Sequence, residues 1–303
     1  MINPDEVDVI DFKIEDYKEL LDIFDAIACE SLSINQFTAN RYVKPHIGYG
    51  SYIFTRLCIH AKSLLRATLL SRWSKTDFNL WVLSCIAGHV RAIMEGYLFY
   101  MYLSEIPVSE EEWKAKLWTM HMNDCVKRLK IMQETDNQER IIFFEEEKVK
   151  IMNELKSNAY FLSLPTPVQK GCLNGKFLMI YTRDELIEKY DLDKKTFDVL
   201  FDILSHYIHI LPISYYSHEQ NKRGSGLFND TDLGYLCMCL GVVTTLLEKA
   251  NTRLITFFPD AKKCMKGKKS IFSPGPRDNL PLIQRESNNK KTGKKRENSW
   301  YLS

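Results

Sequence analysis

Along most of this chain apolar residues return every three or four positions, the period of an amphipathic helix, and few runs alternate as half-buried strands do. The stretch after Asp193 is the plainest case, with Phe197, Leu200, Phe201, Leu204, Ile208 and Leu211 forming one apolar stripe. The pattern predicts helices over about 14–31, 49–73, 77–105, 109–135, 138–158, 183–190, 193–211 and 230–258. Start signals agree with it. Ser109 precedes Glu110, Glu111 and Glu112, giving a capping box and an acidic first turn, and Asp193 and Asp230 are further N-cap candidates. Pro107, Pro165, Pro167, Pro212 and Pro259 punctuate the gaps. In GCLNGKFLMIY, residues 171–181, Asn174-Gly175 predicts the one short hairpin. Tyr216 to Asn229, with Gly224-Ser225-Gly226, reads as a mobile loop. No internal repeat is visible. The expected architecture is an all-α antiparallel helical bundle.

The chain has 303 residues, 45% of them hydrophobic, and this is enough to fill one large core. Its net charge of +2 conceals a division. Residues 261–303 hold 12 Lys and Arg against 3 Asp and Glu, leaving 29 basic and 36 acidic groups in the preceding 260. Two units are therefore expected: a single acidic helical domain over 1–260 and a basic, disordered tail over 261–303. The tail composition suits contact with nucleic acid such as RNA, with an acidic partner protein or with anionic lipid. Eight cysteines show no C-x-x-C pair, and Cys237 and Cys239 point roughly 200° apart on a helix. This usage implies a reducing compartment without disulfides, zinc or any other cofactor. The acidic start, MINPDEVDVIDF, lacks the basic and apolar regions of a signal peptide. The most apolar segments are either interrupted by charge or too short to span a bilayer, so a cytoplasmic protein with no membrane span is expected.

The charge that interrupts the first of these segments is the main chemical clue. From Phe78 to Ser104, Arg91 and Glu95 are the only formally charged side chains. Burying an unpaired charge costs several kcal/mol, so a helix this apolar needs a partner or a purpose for them. They stand four apart and can meet. Ser84, Ala87, Gly88, Arg91, Glu95 and Tyr102 share a stripe whose small residues would let a neighbouring helix come close. Either the pair fixes packing, or Glu95 orients Arg91 for an anionic ligand.

A second polar cluster lies near the end of the helix from Asp193. Asp198, Asp202, Ser205 and His209 project from one flank of its apolar stripe, and His206 points to the far side, towards solvent or a partner. With Pro212 stopping the helix, His209 falls in the last turn, where the dipole favours the imidazolium. A Ser–His–Asp hydrolase would need a G-x-S-x-G turn, which is absent. His206, His209 and Asp202 lack the H-E-x-x-H pattern of a zinc helix. His46, His60, His89, His121 and His218 have no telling spacing.

Arg91-x-x-x-Glu95 on a long apolar helix, with Ser205-x-x-x-His209 in FDILSHYIHILPISYY, resembles an uncharacterised bacterial all-helical family loosely grouped with HEPN-like domains. The resemblance covers roughly Tyr52 to Tyr216. It implies a HEPN-like helical core with extra helices, and a place in bacterial defence. Many HEPN-like proteins are metal-independent ribonucleases or toxins in which an Arg and a His converge on a phosphate, often across a homodimer. Their Arg and His share one helix with four to six residues between them, yet Asp202, Ile203 and Leu204 occupy those places before His209. Arg41 and His46 have the spacing, but 13 arginines and 7 histidines produce about one such match by chance, and Pro45 predicts a loop there. Two functions follow as expectations. One is a non-catalytic binding module in which Arg91, Glu95, Ser205 and His209 form a buried polar network. The other is a ribonuclease in which Arg91 holds phosphate and His209 is the general acid and base.

Overall fold

The computed structural model describes residues 12–74, 80–215 and 226–270. These form an all-α bundle of ten α-helices: α1 (Ile14–Thr38), α2 (Pro45–Ala67), α3 (Ser84–Leu103), α4 (Glu110–Glu134), α5 (Gln138–Ser157), α6 (Ala159–Leu162), α7 (Thr166–Leu173), α8 (Arg183–Lys189), α9 (Lys194–Ile208) and α10 (Asp230–Phe257). The main core is built from α1, α2, α3, α8, α9 and α10, with Phe24, Phe54, Tyr97, Leu200, Leu240 and Leu247 fully buried or nearly so. A smaller core around Met122, Leu155, Phe161 and Cys172 joins α4, α5, α6 and α7. Only three residues separate α4 from α5, so the two run antiparallel. By length and composition α10 could cross a membrane, but most of its apolar window is buried in the fold.

Helix starts follow the caps read from sequence, with one shift. Ser109 accepts from the Glu112 amide at 3.1 Å while Glu112 Oε2 accepts from the Val108 amide at 2.7 Å. Asp193 caps α9, whereas α10 is capped by Asn229, one residue before the expected Asp230. Other boundaries moved for tertiary reasons. Pro45 is the first residue of α2 and not a loop residue, because its missing N–H is harmless there. The expected start of the third helix at 77 lies outside the described residues. Its first regular turn begins at Ser84, after Trp81 donates its amide to the Gly226 carbonyl at 2.9 Å.

No hairpin forms at 171–181. Asn174 instead caps α7, and Gly175 takes φ +66° just beyond it. The Gly175 amide then closes on Cys172 O at 2.9 Å and the Lys176 amide on Gly171 O at 2.9 Å, the two bonds of a Schellman motif. Phe177 folds back onto Gly171 so tightly that a Cβ there would lie 2.1 Å from its ring. Helices also approach closely elsewhere than the small-residue stripe suggested. Gly88 faces open space, while Gly96 admits Leu57 of α2 and Gly50 admits Ser104.

The folded body extends past the expected boundary at 260. Short 3₁₀ turns at Pro259–Cys264 and Gly267–Lys269 dock on α1, with Ala261 and Ser270 buried. Arg41 grips Asp260 through two bonds of 2.8 and 2.9 Å, Glu30 Oε1 accepts from the Gly267 amide at 2.7 Å, and Lys268 pairs with Asp22. Five of the twelve basic residues assigned to the tail, Lys262, Lys263, Lys266, Lys268 and Lys269, therefore belong to the body. The remainder of that segment, 271–303, and most of the expected loop, 216–225, lie outside the described residues. All eight cysteines are free, and seven are buried as small apolar side chains.

Candidate functional site

α9 packs on α3 through the apolar residues Phe197, Leu200 and Leu204, which carries Ser205 to the open edge of the seam. Arg91 reaches it from α3. Its Nη1 donates to the Ser205 hydroxyl at 2.6 Å, and its Nε donates to Glu95 Oε1 at 3.0 Å. The guanidinium carbon also lies 4.2 Å from the centroid of the Phe201 ring, a cation–π distance. Arg91 and Ser205 are 114 positions apart, so this contact is wholly tertiary. The pair is less buried than its apolar surroundings suggested. The Arg91 side chain is 23% exposed and that of Glu95 54%, so the helix holds both charges without full desolvation.

The Ser205 hydroxyl proton points at the helix backbone and not at a general base. The hydroxyl accepts from Arg91 and donates to the Phe201 carbonyl at 2.7 Å, the back-bond common for helical serines. A second guanidinium, Arg183 at the start of α8, lies 4.6 Å from the same ring and donates to Asp198 at 3.0 Å. Lys194 also pairs with Asp198 and Asp184. Two separate ion-pair groups, Glu95 with Arg91 and Arg183 with Asp198, Lys194 and Asp184, thus meet with both guanidiniums at the Phe201 ring.

His209 stands apart from this network. It is the C-cap of α9 and not a last-turn residue, and its amide closes on Ser205 O at 3.1 Å while its ring is exposed. Among the described residues that ring makes no hydrogen bond or ion pair. Helix α9 ends in a second Schellman turn, with the Leu211 amide on His206 O at 2.9 Å and Ile210 at φ +53°. A β-branched residue is strained there, which sharpens the stop ahead of Pro212. His206 is half-buried, and among the described residues its buried Nδ1 has no hydrogen-bond partner. Among the described residues no three His, Cys, Asp or Glu side chains gather closely enough to hold a metal ion.

No telling spacing joins His60 to His89, yet α2 and α3 set their Nδ1 atoms 3.3 Å apart. One ring must donate and the other accept, so protonating both would break the contact. Burial lowers the pKa of His60, with His89 and Arg56 adding to the effect, and burial alone lowers that of His89. Burial likewise lowers those of His46, set edge-on between Trp113 and Phe257, and His121, which meets the Tyr49 hydroxyl at 3.5 Å. The sign follows from linkage. Above roughly pH 6.5 these rings are neutral in both states, and below it the unfolded chain binds protons that the folded chain refuses. Stability is therefore expected to fall from pH 7.5 to pH 5, read as a lower urea midpoint. A His60→Gln/His89→Gln variant should lose less over the same interval. Equal losses in both proteins would remove the histidine pair as a cause.

Comparison with known proteins adds no relative: no family model, no curated protein and no solved structure matches this chain.

Proposed function

We propose that this chain is a non-catalytic, HEPN-like helical binding module. In it the Arg91, Glu95 and Ser205 network fixes α9 on α3 and presents the free edge of the guanidinium to a partner protein or an anionic ligand. The observation that carries this reading is the commitment of the Ser205 proton to the Phe201 carbonyl while its oxygen accepts from Arg91. Arg91 Nη2 makes no hydrogen bond among the described residues, so one donor edge remains for an acceptor on a ligand. Two clefts elsewhere in the fold are lined by other residues. Free thiols throughout support a reducing compartment, the cytoplasm, and the basic segment 261–303 would add RNA or protein contacts to a role in bacterial defence.

Two measurements test it. Urea unfolding of Arg91→Ala, Ser205→Ala and the double variant should give a coupling energy of about 1–2 kcal/mol, because each single change strands the other partner. RNA incubated with the full chain in EDTA should stay intact. Cleavage that disappears in both Arg91→Ala and His209→Ala would replace the binding module with a ribonuclease.

A further inference from the structure

A cleft of about 460 Å³ runs between α3, the end of α8 and the outer side of α10. Tyr97, on α3, is six residues beyond Arg91 and therefore about 240° round the helix, so this is a different face from the α9 seam. Tyr97 is fully buried and lines the cleft, and among the described residues its hydroxyl has no hydrogen-bond partner. The same holds for the hydroxyl of Tyr190, the C-cap of α8, which also lines the cleft. An unpaired buried hydroxyl is destabilising, so two beside one cleft call for an explanation.

The charge in the cleft supplies one. Arg253, on α10, lines it, and its guanidinium makes no ion pair or hydrogen bond among the described residues. Burial pushes the Tyr97 phenol up to about 12 and raises that of Tyr190, while the nearby Arg253 pulls against both. Both phenols thus stay protonated at neutral pH and remain donors. Lys249 is committed elsewhere: its Nζ donates to the carbonyls of Asp191 at 3.0 Å and Tyr190 at 3.4 Å, which locks the end of α8 and with it the Tyr190 ring. Glu248 on the rim is the single acidic lining residue against these two bases. Met101 adds an apolar surface beside Tyr97.

We propose that this cleft binds a small molecule by an oxyanion group, a carboxylate or a phosphate. Arg253 makes the forked ionic contact, and the Tyr97 and Tyr190 hydroxyls donate to the remaining oxygens. The site stands independently of any role for Arg91. The test is isothermal titration of the full chain with inorganic phosphate and, separately, with benzoate, which distinguishes the two sources of the group. Saturable binding of at least one probe is expected. Arg253→Gln should weaken it about ten-fold or more, and Arg91→Ala should leave it unchanged. Tyr97→Phe should weaken binding several-fold yet melt at the same or a higher temperature without probe, since the hydroxyl it removes has no internal partner. Absence of saturable binding for both probes overturns the proposal. So does binding that survives Arg253→Gln, binding lost in Arg91→Ala, or a lower melting temperature for unliganded Tyr97→Phe.

Discussion

Replacing Lys116 by alanine should destabilise this chain by about 3–5 kcal/mol. The Lys116 side chain is 1% exposed, and its Nζ lies 2.7 Å from Glu112 Oε1 and 3.1 Å from Glu105 Oε2. Glu112 is itself buried, and its other oxygen caps the Val108 amide. The Tyr102 ring stands 5.1 Å from the ammonium and its hydroxyl accepts from the Ile180 amide, so the cation sits where the main and smaller cores meet. Alanine would leave Glu112 as a buried anion with only one backbone donor. Glu105 would suffer less. Burial alone would raise its carboxyl, but Lys189 and Lys116 outweigh that and hold it below its ordinary range, and Lys189 would remain at 2.7 Å. Urea unfolding checks the magnitude, and a Glu112→Gln/Lys116→Met variant should recover much of the loss by removing both charges. A cost under about 1 kcal/mol for Lys116→Ala would mean that water reaches this site.

The second large effect is expected at Asp25, where alanine should cost about 2–4 kcal/mol. Asp25 is 4% exposed on α1 and accepts from Trp73 Nε1 at 2.7 Å, from Arg72 Nη2 at 2.9 Å and again from Arg72 Nε. One carboxylate thus ties the segment after α2 back to the first helix. Its loss leaves the Trp73 indole N–H without its acceptor and Arg72, 22% exposed, with only the Cys29 sulfur at 3.1 Å. Because the contact holds a segment and not a helix, the response should be local as well as global. Amide exchange and proteolysis over 68–74 should rise before the helices open. Asp25→Asn should recover part of the stability, keeping one acceptor oxygen but losing the charge. If both variants exchange like the wild type over 68–74, the segment is held by something else.

Local physics wrote the helices into this sequence. Periodic apolar residues, Ser109, Asp193 and the prolines each act within one or two turns, and α4, α5, α8 and α9 begin within a residue of where those signals put them. The bond between Arg91 and Glu95 was legible for the same reason, since four residues bring two side chains together on any helix. Asn174-Gly175 shows where local reading stops. A hairpin turn and a Schellman cap both ask for a residue that tolerates positive φ, and only the fold of Phe177 onto Gly171 selects the cap.

Pairing across the chain is a different matter. Sequence could mark Arg91 and Ser205 as polar exceptions on apolar helices, but their meeting depends on how α9 lies on α3. That is set by the whole buried surface and not by either residue. The same applies to His60 with His89, Lys116 between Glu105 and Glu112, and Arg253 beside two unpaired phenols, none of which has a sequence spacing to announce it. His209 is the reverse case, placed one position past its helix by a chain reversal at Ile210 that its neighbours' composition does not favour. The chain's own order of residues thus determined that it is helical and where most turns begin. Which polar groups share a site was decided only when the helices packed, because side chains distant in sequence are brought together by burial of the apolar surface between them.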